Sequence, residues 1–186
     1  QEGVYLGYKY AETRYEDVVM GTPKAGSFDY SSVVAFPFGY GLSYSSFSFS
    51  DLKVEKSGEG SSAVYNLNVT VTNIGDAAGK KTVQIYVQKP YTEYDKAHGI
   101  EKPSVELVGY AKTEILQPGA SETVTINVPE YYLTSYDAEG TGVYILENGT
   151  YYLIAAENAH VATNQVLAAK GYSVDADASL VYAIEQ

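Results

Sequence analysis

Cysteine is missing from this 186-residue sequence, which rules out disulfide bridges, thiolate metal sites and cysteine nucleophiles. The absence identifies no compartment, because many secreted bacterial proteins also lack cysteine, so both a cytoplasmic and a secreted setting stay open. Tryptophan is missing too, histidine occurs twice and methionine once. Basic residues are scarce: 12 Lys and Arg stand against 23 Asp and Glu, a formal charge of −11. Such a field repels phosphates, and Lys80-Lys81 is an isolated pair, so no nucleic acid partner is expected. Long apolar runs are lacking as well. No stretch approaches the roughly 20 residues of a membrane helix, and Gln1-Glu2-Gly3 begins no signal peptide, so no membrane partner is expected. Both ends read as if cut from a longer chain.

What is present is 45% hydrophobic and 19% charged, the composition of a folded protein with one core as the prior. Tyrosine is abundant: 20 Tyr accompany 5 Phe, 17 Gly and 6 Pro. Tyrosine favours strands and keeps a polar tip for interfaces, while Gly and Pro between short apolar runs add turn chemistry. The combination leans towards all-β.

Along the chain, Gly3-Val4-Tyr5-Leu6-Gly7-Tyr8-Lys9-Tyr10 alternates as a strand would. Gly21-Thr22-Pro23 through Gly26 breaks any regular element, and Phe36-Pro37-Phe38-Gly39-Tyr40-Gly41-Leu42 is too rich in Gly and Pro for a helix or central strand. Residues 1–45 therefore read as an extended tether with aromatic anchors. From Phe47 the period of two is strong and predicts strands near 47–56, 63–73, 81–89, 105–115, 121–128 and 150–156. Asn73-Ile74-Gly75-Asp76 closes one strand as a turn. Gln117-Pro118-Gly119-Ala120 has the Pro and Gly placement of a type II turn, and Asn148-Gly149 suits a hairpin-type turn before the last of these strands. Residues 130–149 are an irregular crossing anchored by Tyr131, Tyr132, Leu133 and Tyr136. No helical stripe of comparable strength precedes Val161. Val166-Leu167-Ala168-Ala169 fits strand or helix equally, and Leu180 to Ile184 is an apolar run with no following element. Short strands with turns between them predict a sandwich of two antiparallel sheets.

Three stretches resemble one region of family 3 glycoside hydrolases of the β-glucosidase type, in that family's order. Glu2-Gly3-Val4-Tyr5-Leu6-Gly7-Tyr8-Lys9-Tyr10 is similar to the segment leaving the family's α/β sandwich domain. Phe36-Pro37-Phe38-Gly39-Tyr40-Gly41-Leu42-Ser43-Tyr44-Ser45-Ser46-Phe47 resembles the signature entering its fibronectin type III-like domain, and is the most specific match. The third set, Val69 to Asp76, Val83 to Val87, Glu106 to Tyr110 and Leu116 to Gly119, resembles that immunoglobulin-like sandwich itself. The resemblance divides the chain into 1–45 (tail of the α/β sandwich domain and linker), 46–158 (sandwich) and 159–186 (extension towards a missing domain). Residues 91–104 exceed the minimal family connection and resemble the clostridial and ruminal subgroup, in which the sandwich lies mid-chain. Leu167-Ala168-Ala169-Lys170-Gly171-Tyr172 fits such a continuation. Gly39 and Gly41 are expected to allow backbone turns closed to other residues.

The resemblance implies a retaining reaction in the parent enzyme, with a barrel aspartate as nucleophile in a Ser-Asp-Trp context. That context is absent here. Ser50-Asp51-Leu52 has no Trp and reads as the opening of a strand. No catalytic residue, cofactor or metal is therefore assigned, and this chain alone is not expected to hydrolyse glycosides. Two crowded acidic sets, Glu12, Glu16 and Asp17, and Glu93, Asp95 and Glu101, read as solvated loop charges. His98 and His160 lie in different predicted loops without partners at zinc spacing, and Asp175 and Asp177 lack a calcium loop around them. Tyr8, Tyr10, Phe36, Phe38, Tyr40, Leu42 and Tyr44 are expected to pack between domains. Loss of a well-buried ring at Phe38 or Tyr40 would cost about 3 kcal/mol. Tyr91, Tyr94, Tyr131 and Tyr132 would contact either a sugar ring or another domain. The expected role is an accessory domain packing on the catalytic domains of the same parent chain, with β-glucosides met only through that parent. A carbohydrate-binding module and a cell-surface adhesion sandwich are the alternatives. The apolar residues of segment 1–45 are expected either to fold back on the sandwich or to exchange with a second copy, giving a homo-oligomer.

Overall fold

A computed structural model of the chain describes residues 3–23 and 25–186, so Glu2 of the first motif lies outside the described residues. The sandwich forms as its alternation dictates. One sheet has the order β1 (Phe47–Ser57), β2 (Val64–Asn73), β5 (Ser121–Pro129). The other has the order β4 (Glu106–Lys112), β3 (Thr82–Gln88), β8 (Thr150–Ala156), β9 (Val181–Glu185). All pairings are antiparallel. Tyr65, Leu67, Val69 and Val71 of β2 meet Val83, Ile85 and Val87 of β3 in the core, together with Val124, Ile126 and Leu153. The outward side of β2 is polar and pairs across to β5: Asn68 accepts from the Thr125 hydroxyl at 2.7 Å, and Thr72 meets Ser121 at 2.8 Å.

The central strands of the second sheet, β3 and β8, are buried on both sides, because a helical layer covers their outer face. Gln84, Tyr86 and Gln88 of β3 point away from the first sheet yet stay buried. Tyr86 and Ile154 pack there with Ala159, Ala162 and Val166 of α4 (Ala159–Ala169) and with Tyr8 of α1 (Tyr8–Met20). A four-residue helix, α2 (Tyr30–Val33), and a six-residue helix, α3 (Glu93–His98), are the other α-helices among the described residues. A two-stranded hairpin, β6 (Ser135–Tyr136) with β7 (Tyr144–Ile145), stands apart from both sheets.

The six expected strands form within a few residues of their predicted limits. Elsewhere the structure corrects the sequence reading. The alternation around residues 3–10 leads into helix α1 rather than a strand, and the inward face of that helix shows why. Buried Ala11, Glu12 and Glu16 lie on it, so its helical period is carried partly by acids that a hydrophobic pattern counts as outward. It also has no side-chain N-cap, whereas its end is marked by Gly21 in the left-handed region. Residues 166–169 resolve as helix. Leu180 to Ile184 is not an orphan run: it supplies most of β9, the edge strand paired with β8. Asn148-Gly149 makes no hairpin; Gly149 instead exchanges backbone hydrogen bonds with Gln186 at the end of β9. The expected type II turn does form, with Gly119 at φ 77° and the Ala120 N–H donating to the Gln117 carbonyl at 2.9 Å. Asp51 does not open a strand. It sits at a bulge within β1 in the left-handed region, with the Ser50 hydroxyl on its carboxylate.

Candidate docking surfaces

Strand register sorts the singled-out aromatics to two ends of the sandwich. Segment 36–46 lies where β1 and β5 begin and β2 ends, with Lys81, Thr82 and Lys112 nearby. Loops 89–105 and 130–149 lie at the other end, with the start of β8 and the end of β9. Strands β1 to β5 and β8, of 7 to 11 residues, hold the two ends roughly 20–35 Å apart.

At the first end the tether is pinned by its backbone at Phe38 and Gly39, while the side chains of Leu42 and Tyr44 stay free. The Phe38 carbonyl accepts from Ala159 N–H at 2.9 Å, and the Gly39 carbonyl accepts from the Gln84 amide at 3.1 Å. Gly39 sits at φ 85°, and a Cβ there would run into the Gln84 carboxamide, so glycine is required on two counts. Gly41 has no such constraint: its φ is ordinary and its surroundings are open, contrary to the sequence expectation. Asn73 is fully buried and ties this end together. Its amide donates to the carbonyls of Ala77 and Leu116, and its oxygen accepts from the Ser45 hydroxyl and Gly75 N–H. Phe36 is 69% exposed, Leu42 89%, and Tyr44 fully exposed. Phe38 and Tyr40 are only half-covered, so the condition for a loss of about 3 kcal/mol, a well-buried ring, is not met. Phe38 stacks on Tyr8 at 4.3 Å and Tyr40 on Phe36 at 5.1 Å. Tyr10 is also exposed, its ring edge-on to Phe28. Beside the strip a cleft of about 330 Å³ is lined by Tyr40, Leu42, Lys80, Lys81, Lys112 and Glu157.

At the opposite end, Tyr91, Tyr94, Tyr131 and Tyr132 are all exposed but do not form one group. Tyr131 and Tyr132 join Tyr136 and Tyr144 in a run of rings, whereas Tyr94 stacks on His98 at 3.9 Å and donates to Asp137 at 2.7 Å. Tyr91 lies under the Lys96 ammonium. Tyr144 carried no sequence signal, because nothing local marked the β6–β7 hairpin that presents it.

The crowded acids are not all solvated loop charges. Asp95 is fully buried on α3, closing a capping box with Thr92, and its carboxylate accepts from the Lys102 ammonium at 2.7 Å. Lys102 also pairs with Glu147 and donates to the Pro90 carbonyl at 2.8 Å. Glu12 is fully buried and accepts from the Tyr30 hydroxyl at 2.5 Å, with His160 Nδ1 at 3.0 Å. Burial, and then the Glu12 carboxylate, drive the Tyr30 hydroxyl far above its ordinary value. Glu16 accepts from the Gln88 amide at 2.7 Å and pairs with Lys170 at 3.3 Å. Glu93, Glu101 and Asp17 remain at the surface or half-buried. His98 and His160 stand on helices α3 and α4 rather than in loops. Asp177 caps the short turn at Ala178–Leu180.

A profile of the fibronectin type III-like domain matches residues 81–159, which span core strands of the second sheet. β-Glucosidase A of Butyrivibrio fibrisolvens is 36% identical over 165 residues, covering 81% of this chain. The chain belongs to the fibronectin type III-like domains of glycoside hydrolase family 3. A solved family 3 β-glucosidase of Bifidobacterium adolescentis superposes on 99% of it with a TM-score of 0.69 and 25% identity. An exo-α-(1→6)-L-arabinopyranosidase of Bifidobacterium breve is 34% identical over 167 residues, 87% of this chain. The chain spans 18%, 21% and 19% of these three proteins respectively, so this fibronectin type III-like region is an accessory part of each.

Proposed function

We propose that this chain is the packing module of a family 3 enzyme acting on β-glycosides with retention, and that segment 36–44 is the face it lays against the catalytic domains. The observation that carries this is the exposure of Leu42 and Tyr44 on a segment tied down on either side, at the Phe38 and Gly39 carbonyls by Ala159 and Gln84 and at the Ser45 hydroxyl by Asn73. Large apolar side chains exposed on a tethered segment are poised for a partner surface rather than for the sandwich's own core. A retaining mechanism needs a nucleophilic and an acid/base carboxylate about 5 Å apart, which the catalytic domains would supply. Relatives named for a glucosidase and for an arabinopyranosidase share this module, which supports placing sugar choice outside it.

Leu42→Asp with Tyr44→Asp tests the reading in the 186-residue chain and in the longer polypeptide. The 186-residue chain should melt unchanged, while the longer polypeptide should lose stability and activity together. If the longer polypeptide tolerates both charges, segment 36–44 is not the packing face.

A further inference from the structure

The tyrosine-bearing end is not explained by a face at segment 36–44. There Tyr132, Tyr131, Tyr144 and Tyr136 follow one another with ring centroids 6.0, 5.1 and 5.2 Å apart, each about half exposed. The run borders a cleft of about 550 Å³ whose walls include Tyr136, Tyr144, His98, Glu101 and Glu139. The two lysines in that cleft are already engaged: Lys89 with Glu106 and the Thr134 carbonyl, Lys102 with Asp95 and Glu147. Glu101 and Glu139 are exposed and, among the described residues, have no cationic partner. The walls are held in place. The Lys102 cluster fixes loop 90–102 against Glu147. Asp137, taking N–H groups from Gly140 and Thr141 and the Tyr94 hydroxyl, ties the β6–β7 turn to α3.

Tyrosine faces beside free carboxylates make a site for a cation, and a guanidinium suits both, stacking on a ring while pairing with an acid. We propose that this cleft is a second docking face, which receives an arginine-bearing surface of the same longer polypeptide. Geometry favours that occupant over a separate protein. Strand β9 delivers Gln186 to this end, beside Gly149, and Gly3 lies against the Glu101 carboxylate, so polypeptide joined at either side meets these tyrosines at high effective concentration. The proposal rests on the reading that the chain works within such a polypeptide.

Amide hydrogen exchange separates the two claims. In the longer polypeptide residues 131–146 should exchange more slowly than in the 186-residue chain. Glu101→Gln with Glu139→Gln and Tyr144→Ala should abolish that protection while leaving the melting temperature of the 186-residue chain unchanged. Equal exchange in both proteins, or protection that survives the triple substitution, overturns the proposal. So does saturable binding of cello-oligosaccharides to the 186-residue chain that Tyr144→Ala removes, since the rings would then serve sugar. Protection at 36–44 without protection at 131–146 sinks this proposal alone, and protection at neither sinks the packing reading as well.

Discussion

Lys102 has the largest single effect predicted at residue scale. Its ammonium lies between the Asp95 and Glu147 carboxylates, all three nearly sealed from water. Replacing it with methionine leaves two buried negative charges without a counter-ion, and urea unfolding should show a loss of about 3–5 kcal/mol. Phe38 behaves differently. Its half-exposed ring keeps the stack on Tyr8, so Phe38→Ala should cost about 1 kcal/mol, well below the figure for a buried ring. Tyr40 touches mainly Phe36, itself exposed, and Tyr40→Ala should change the midpoint by less than about 0.5 kcal/mol. A large loss at Tyr40 would show that the tether is part of the core.

At the scale of elements, the β6–β7 turn depends on one carboxylate. Thr141 N–H, helped by the Tyr94 hydroxyl, the Thr141 hydroxyl and Gly140 N–H, lowers the Asp137 carboxyl to about 2. A group depressed on folding contributes stability that is complete above its ordinary value of 3.8 and lost as pH falls through about 2. Thermal melts between pH 5 and pH 2 should therefore drop less steeply for Asp137→Asn than for the unaltered chain. Parallel curves would show that the turn does not depend on this charge. On the tether, Gly39→Ala forces a Cβ against the Gln84 carboxamide at a left-handed φ, and should destabilise by more than about 1 kcal/mol, whereas Gly41→Ala should be nearly neutral.

For the whole molecule, hydrolysis of aryl β-glucosides by the 186-residue chain is expected to be absent, since the Ser-Asp-Trp context of the family nucleophile does not occur and Asp51 serves a bulge. Turnover that a point change in this chain abolishes would refute that. Helix α1 lies along the chain's own sandwich, with Ala11, Glu12 and Glu16 buried, while Val33 and Phe36 stay exposed. The 186-residue chain is therefore expected to associate weakly through segment 28–44, and light scattering should show that association fall when Phe36 and Leu42 are made polar. Unchanged scattering would show that segment 28–44 does not join copies, leaving the fold-back of α1 as the outcome for the segment.

The sandwich was legible because its strands announce themselves locally. Half-buried strands must alternate, and Val64 to Asn73 does so residue by residue. The turn at Pro118-Gly119 and the motif at 36–47 are local for the same reason, the first through backbone sterics and the second as a family resemblance. What sequence alone did not show is whatever depends on residues far apart. Glu12 faces inward only because Tyr30 and His160 come to meet it from α2 and α4, and β9 is a strand only because β8 offers an edge. Tyr131 and Tyr144 become neighbours only when the hairpin closes. A buried acid, an edge strand and an aromatic cluster are each stabilised by partners that local pattern does not contain, so only the tertiary structure decided which carboxylates are buried and which aromatics share an end.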